Sequence, residues 1–122
     1  MFLVYAAILF ALGALGGLYM ATLSFKGKPL PAAVATLHGL FGATGLVLLI
    51  VGVLAGMGGG TARIALIILV VAALGGFYLV SFHIKKKQHP RAVIVIHALV
   101  AVIGFLTLLT AIFQAQMPAA GG

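Results

Sequence analysis

The feature that most constrains the fold is an internal repeat, in which positions of the second half of the chain match positions fifty-nine residues earlier without a gap. The identities include a double glycine, a proline and a histidine in each copy. The matching residues of the first copy include Ala14, Leu15, Gly16, Gly17, Tyr19, Lys26, Lys28, Pro31, Ala33, Val34, His38, Leu40 and Gly45. Their identical counterparts in the second copy are Ala73, Leu74, Gly75, Gly76, Tyr78, Lys85, Lys87, Pro90, Ala92, Val93, His97, Leu99 and Gly104. The chain is therefore expected to fold as two copies of one structural unit.

The composition places this unit in a membrane. Of the 122 residues, 65% are hydrophobic and 6% are charged, and neither Asp nor Glu occurs. A soluble domain of this length could not bury so much apolar surface. Each copy also holds two apolar stretches of about twenty residues or more, which is the length that crosses a bilayer. The sequence therefore predicts an integral membrane protein.

Four membrane-spanning helices are predicted, two in each copy. They run over residues 2–25, 32 to about 56, 64 to about 83 and 92–113. Residues 57–63 are predicted to be a flexible link, and residues 114–122 a polar tail. The predicted fold class is an all-α, polytopic membrane four-helix bundle made of two tandem parallel helical-hairpin repeats. It is a single domain, 1–122, with repeat 1 over about 2–56 and repeat 2 over about 64–115.

The basic residues predict the orientation of the chain. Six of the seven lie in the loops 26–31 and 84–91, and the seventh is Arg63, between the two copies. Loops rich in Lys and Arg stay on the cytoplasmic side, so both loops are expected to be cytoplasmic and both termini non-cytoplasmic. The copies then insert in the same direction, related by a pseudo-two-fold axis along the membrane normal. The expected location is the inner (cytoplasmic) membrane of a bacterium.

One histidine lies about two turns inside the second helix of each copy, at His38 and His97. Each follows a proline by seven residues, which places it roughly 10 Å along its helix at about 1.5 Å per residue. Both histidines lie on a stripe of small residues, which lets membrane helices approach closely and indicates the face toward the bundle interior. The two side chains are therefore expected to meet at one depth on opposing helices.

Two imidazoles in this position suit one metal approached from opposite sides, as the axial ligands of a haem iron are. The predicted cofactor is one haem b, with His38 and His97 as the metal ligands. Its further surroundings are expected to be Gly42, Gly45, Ala101, Gly104, Tyr19, Tyr78, Lys28 and Arg91. The small residues would leave room for the macrocycle, and the two cations would neutralise propionates. A carbonyl one turn back or a tyrosine hydroxyl would accept a hydrogen bond from the second ring nitrogen.

Two opposing histidines in a four-helix membrane bundle resemble the bis-histidine b-type cytochromes of membranes. The resemblance covers the architecture and these two residues. It implies a small electron-transfer protein, or a subunit of a respiratory or photosynthetic complex, rather than a catalytic one. The expected partners are membrane lipids, other membrane-protein subunits, and a quinone or another electron-transfer partner.

Composition also excludes several functions. Without carboxylates there is no carboxylate-coupled antiport and no paired-acid catalysis, and without cysteine there is no iron–sulfur cluster. Basic residues confined to loops indicate topology and no nucleic-acid binding. Two alternatives stay open: a cofactor-free accessory subunit whose histidines only join helices, or a chlorophyll-type pigment on each histidine. Of the other histidines, His83 is expected to approach a propionate and His89 to be a solvated loop residue.

Overall fold

The computed structural model describes residues 1–118, and four helices account for most of them. Helix α1 spans Phe2–Phe25, α2 spans Ala32–Leu54, α3 spans Gly59–Ile84 and α4 spans Arg91–Gln116. Residues 1–118 contain no strand. All four helices are long and apolar enough to cross a membrane, as the sequence predicts. The last four residues of the predicted polar tail, 119–122, lie outside the described residues.

The helices form a four-membered ring in chain order. Helix α1 packs mainly on α2, and α3 packs mainly on α4, so each repeat is one helical hairpin. The ring closes through smaller contacts of α1 with α4 and of α2 with α3, whereas the backbones of the diagonal pairs do not touch within residues 1–118. The predicted all-α bundle of two parallel hairpins is confirmed.

The hydrophobic core lies in the half of the bundle away from the basic loops, and it follows the repeat. Leu49 and its repeat counterpart Leu108 are both fully buried, as are Ala6 and Ala65. The complete cluster is Leu3, Ala6, Ala7, Leu49, Ala62, Ala65, Leu69, Leu108 and Ala111. Because so many of these side chains are alanines, the helices come close together here, which is how membrane helices gain packing energy without a hydrophobic drive.

The two basic loops begin with the same turn. At the end of α1 the Lys28 N–H donates to the Leu23 carbonyl at 2.9 Å, and at the end of α3 the Lys87 N–H donates to the Phe82 carbonyl at 2.9 Å. Both turns need one residue in the left-handed conformation, as helix C-terminal turns of this kind do. Gly27 fills that position in the first repeat with φ +67°, and Lys86 fills it in the second with φ +54°.

The predicted flexible link 57–63 is wrong. Helix α3 begins at Gly59, so only residues 55–58 connect the two repeats. Gly58 turns the chain with φ +70°, and a Cβ there would lie 2.7 Å from the Ala62 Cβ and 2.8 Å from the Leu3 Cδ1. The connection is therefore a tight turn held against the core, because Ala62 is fully buried and anchors the first turn of α3.

Candidate functional site

His38 on α2 and His97 on α4 lie next to each other in the interior of the bundle. Their ring centroids are 6.2 Å apart and the ring planes are nearly perpendicular, at 79°. Both residues are half-buried. Since α2 and α4 are diagonal helices whose backbones do not touch, the two imidazoles meet across the middle of the bundle.

One nitrogen of each ring is held by the backbone of the neighbouring helix. The Nδ1–H of His38 donates to the Gly13 carbonyl at 2.7 Å, and that of His97 donates to the Ala72 carbonyl at 2.8 Å. A carbonyl oxygen only accepts, so Nδ1 carries the proton and Nε2 carries the free lone pair. The predicted acceptor, on the same helix or on a tyrosine, is wrong. The acceptor belongs to the preceding helix of the same repeat.

A double glycine on that preceding helix makes room for each ring. A Cβ at Gly17 would lie 3.0 Å from the His38 Cε1, and a Cβ at Gly76 would lie 3.2 Å from the His97 Cε1. Glycine therefore lets the imidazole rest on the helix backbone and reach a carbonyl. The double glycine and the histidine both recur in the second copy, and this shared recurrence is the sequence signal that could have indicated the contact.

The small residues near the histidines have two different surroundings. A Cβ at Gly42 would meet nothing within 4 Å, and Ala101 is half-buried. Gly45 and Gly104 instead face the other helix of their own hairpin. A Cβ at Gly45 would lie 3.1 Å from the Phe10 ring, and one at Gly104 would lie 2.7 Å from the Leu69 Cγ. These two glycines serve helix packing.

The predicted tyrosines and Arg91 have surroundings of their own. Tyr19 and Tyr78 are both about half exposed, and the Tyr78 ring packs edge-on against Phe82 with centroids 5.2 Å apart. The Arg91 guanidinium carbon lies 5.6 Å from the centre of the Phe25 ring on α1, within the range of a cation–π contact. Arg91 therefore links the start of α4 to the end of α1.

Lys28 lies in a cleft of about 580 Å³ between the two basic loops, here called the basic cleft. Its polar lining residues include Ser24, Lys28, His83, Lys86, Lys87 and His89. The His83 and His89 rings are 6.1 Å apart. Burial, and then the positive charge of His83, lower the pKa of His89. His89 lies in the loop, as the sequence predicts, and is partly buried where it lines the cleft.

Comparisons with protein-family models, with curated proteins and with solved structures found no match. The site is therefore interpreted from its own geometry. Among residues 1–118, no group of three or more His, Cys, Asp or Glu side chains could hold a metal ion. A tetrahedral zinc site needs three or four protein ligands. The His38–His97 pair offers only two ring nitrogens that are not bonded to the backbone, one on each ring.

Proposed function

We propose that the protein is a small integral-membrane b-type cytochrome, or a cytochrome subunit of a larger complex, with one haem b between His38 and His97. The observation that carries this proposal is the 6.2 Å separation of the ring centroids. Imidazole nitrogens bind metals at about 2.0–2.1 Å, so two imidazoles that share one metal through Nε2 have ring centres roughly 6 Å apart. The separation in this chain therefore suits a shared metal.

The hydrogen bonds of Nδ1 support the same proposal. A ligating histidine usually donates its other ring N–H to a carbonyl or carboxylate, which fixes the ring and makes the ligating nitrogen more basic. Both histidines have such a bond, to Gly13 and to Ala72. The two rings are thus oriented before any metal binds, with matching geometry in the two repeats.

The residues around His38 and His97 offer part of what a haem would need. A Cβ at Gly42, one turn beyond His38 on α2, would meet nothing within 4 Å, and the basic loops lie at one end of the bundle, where Lys28 and Arg91 could neutralise propionates. Haem iron supplies a one-electron redox couple when bound. The role of this chain is to hold it with two imidazoles and to surround it with apolar helices.

The alternatives differ from the proposal in what the two rings hold. A chlorophyll-type pigment on each histidine would require two macrocycles, whereas the two ring centroids lie 6.2 Å apart. A cofactor-free accessory subunit would use the histidines only to join helices through the bonds to Gly13 and Ala72. Under the proposal, the electron-transfer partner is a quinone or another redox protein, and neighbouring subunits and lipids cover the outer helix faces.

Alanine substitution of each histidine tests the proposal. His38→Ala and His97→Ala should each replace the low-spin, six-coordinate spectrum by that of a five-coordinate, easily lost haem. His83→Ala and His89→Ala serve as controls, because these histidines lie in the basic cleft, and both variants should keep the six-coordinate spectrum. If His38→Ala and His97→Ala keep a normal low-spin spectrum, the assignment is wrong.

We also propose that the two basic loops face the cytoplasm in a bacterial inner membrane. Loops 26–31 and 85–90 lie at one end of the bundle, where both line the basic cleft. Arg63 stands near the other end, in the first turns of α3. An excess of Lys and Arg on one side is retained on the cytoplasmic side of membranes.

A further inference from the structure

The basic cleft concentrates positive charge without a counter-charge from the protein. Lys28, Lys86 and Lys87 line it together with His83 and His89, and the chain contains neither Asp nor Glu. Like charges repel one another when they are brought into one concave, partly dehydrated site, and such a site concentrates anions. The cleft is therefore built to be completed by an anionic ligand from outside the chain.

The repeat brings the cations to this ligand from two sides. Lys28 and Lys87 are equivalent positions in the two copies, and so are Ser24 and His83. All four line the cleft, which therefore lies between the repeats. Ser24 is only 7% exposed and presents a hydroxyl that can donate a hydrogen bond. A ligand with several equivalent acceptor oxygens would meet donors from both loops at once.

We propose that the basic cleft binds a phosphate group. Lysine ammonium groups bind phosphate as point charges, and a phosphate offers several oxygens to donors that converge from opposite sides. The volume of about 580 Å³ lies within the range of small-molecule sites and leaves space for the group that carries the phosphate. That group is either the headgroup of an anionic lipid at the membrane surface or a soluble phosphate.

Two matched double variants isolate the cleft from general surface charge. Lys86→Gln/Lys87→Gln removes two cations that line the cleft. Lys26→Gln/Lys85→Gln removes two cations from the same loops that are not among the lining residues. Both variants lose the same charge, so a ligand held only by the overall positive field weakens equally in the two. A ligand held in the cleft weakens in the first alone.

Each source of phosphate has its own measurement on the delipidated, detergent-solubilised full chain. The first is the shift in Tm with inorganic phosphate relative to chloride at equal ionic strength. The second is retention of phosphatidylglycerol, relative to an uncharged galactolipid, in native mass spectrometry. We expect at least one probe to bind the wild type. The same probe should bind Lys86→Gln/Lys87→Gln about tenfold more weakly, and its affinity for Lys26→Gln/Lys85→Gln should stay within about twofold of the wild-type value.

Three results would overturn the proposal: no binding of either probe, equal weakening in the two double variants, or binding that disappears whenever haem is present. The last result would assign the cleft to the haem propionates. Retention of the lipid alone would identify a headgroup site, and a Tm shift with inorganic phosphate would identify a site open to soluble phosphate. The first double variant changes Lys86 and Lys87 and keeps Lys28, the cleft lysine assigned to the propionates, so the haem spectrum of this variant tests the proposed cytochrome separately.

Discussion

At the scale of single residues, the repeat allows each position to be compared with its own counterpart. The two basic loops show this best, because the same left-handed position holds Gly27 in one copy and Lys86 in the other. Glycine adopts this conformation without a steric penalty. A side chain there brings its Cβ too close to the following carbonyl, at a cost of roughly 1–2 kcal/mol. The second loop therefore contains strain that the first loop lacks.

Exchanging these residues should change stability in opposite directions. Lys86→Gly should raise the free energy of unfolding by about 1 kcal/mol, and Gly27→Ala should lower it by a similar amount. A Cβ at Gly27 would meet nothing within 4 Å, so the second change reports the backbone conformation alone. Denaturant titration in detergent measures both. A loss of stability in Lys86→Gly would show that its side chain contributes more than its backbone costs.

The lowered pKa of His89 predicts the direction in which acid acts on this loop. Burial and the charge of His83 disfavour the protonated form in the folded state, whereas an unfolded histidine titrates near its ordinary pKa of about 6.5. As the pH falls below that value, the unfolded state takes up the proton first, so this contribution destabilises the fold. Lys28, Lys86 and Lys87 line the same cleft.

The Tm of His89→Gln should therefore fall less than the Tm of the wild type when the pH is lowered from 7.5 to 5.5. The measurement is the Tm of both proteins in a phosphate-free chloride buffer at these two values. His38, His83 and His97 are present in both proteins, so the difference reports His89 together with its interaction with His83. An equal fall in Tm for the two proteins would rule out a contribution from this residue.

At the scale of helices, the sequence predicted the features that follow from the length of each apolar stretch. Helix α1 begins and ends where predicted, because Lys26 and the prolines that follow mark its limit. The start of α3 was missed, because Gly58-Gly59-Gly60 resembles a linker and nothing local shows that Ala62 is buried. The contact of each histidine with a carbonyl twenty-five residues earlier was missed for a related reason. It depends on how two helices face each other, which the periodicity of one helix does not determine.

The glycine contact under His38 can be tested with a neighbouring glycine as control. Gly17→Ala would place a Cβ 3.0 Å from the His38 ring, whereas Gly39→Ala meets nothing within 4 Å. Both changes gain the same intrinsic helix propensity, so their difference reports the displaced ring and its weakened hydrogen bond. We expect Gly17→Ala to be less stable than Gly39→Ala by about 1 kcal/mol, measured by denaturant titration. Equal stability would mean that the ring adapts without loss.

At the scale of the whole molecule, the two hairpins present similar apolar surfaces outward. Leu15 and Leu18 are 66% and 64% exposed, and their counterparts Leu74 and Phe77 are 63% and 71% exposed. Surfaces of this kind are compatible with contact with lipid acyl chains. The sequence predicted this arrangement because a gapless repeat of two spans leaves only one relative orientation of the copies. It could not predict which small residues face space and which face a neighbouring helix.

Cysteine labelling tests the orientation of the whole bundle. Gln88→Cys and Ala55→Cys place single thiols at opposite ends, in a chain with no other cysteine, and both sites are exposed. Neither has the positive φ of the glycines in these loops. In intact cells, a membrane-impermeant maleimide should label Ala55→Cys but not Gln88→Cys. Labelling of Gln88→Cys alone would reverse the topology.

The central claim is that one haem is shared by His38 and His97. The most direct measurement is the reduced-minus-oxidised optical spectrum of the protein purified from membranes, with haem and protein quantified in the same sample. We expect a reducible Soret and α-band of a low-spin b-type haem, at one haem per chain. A protein without visible absorption, or with two pigments per chain, would contradict it.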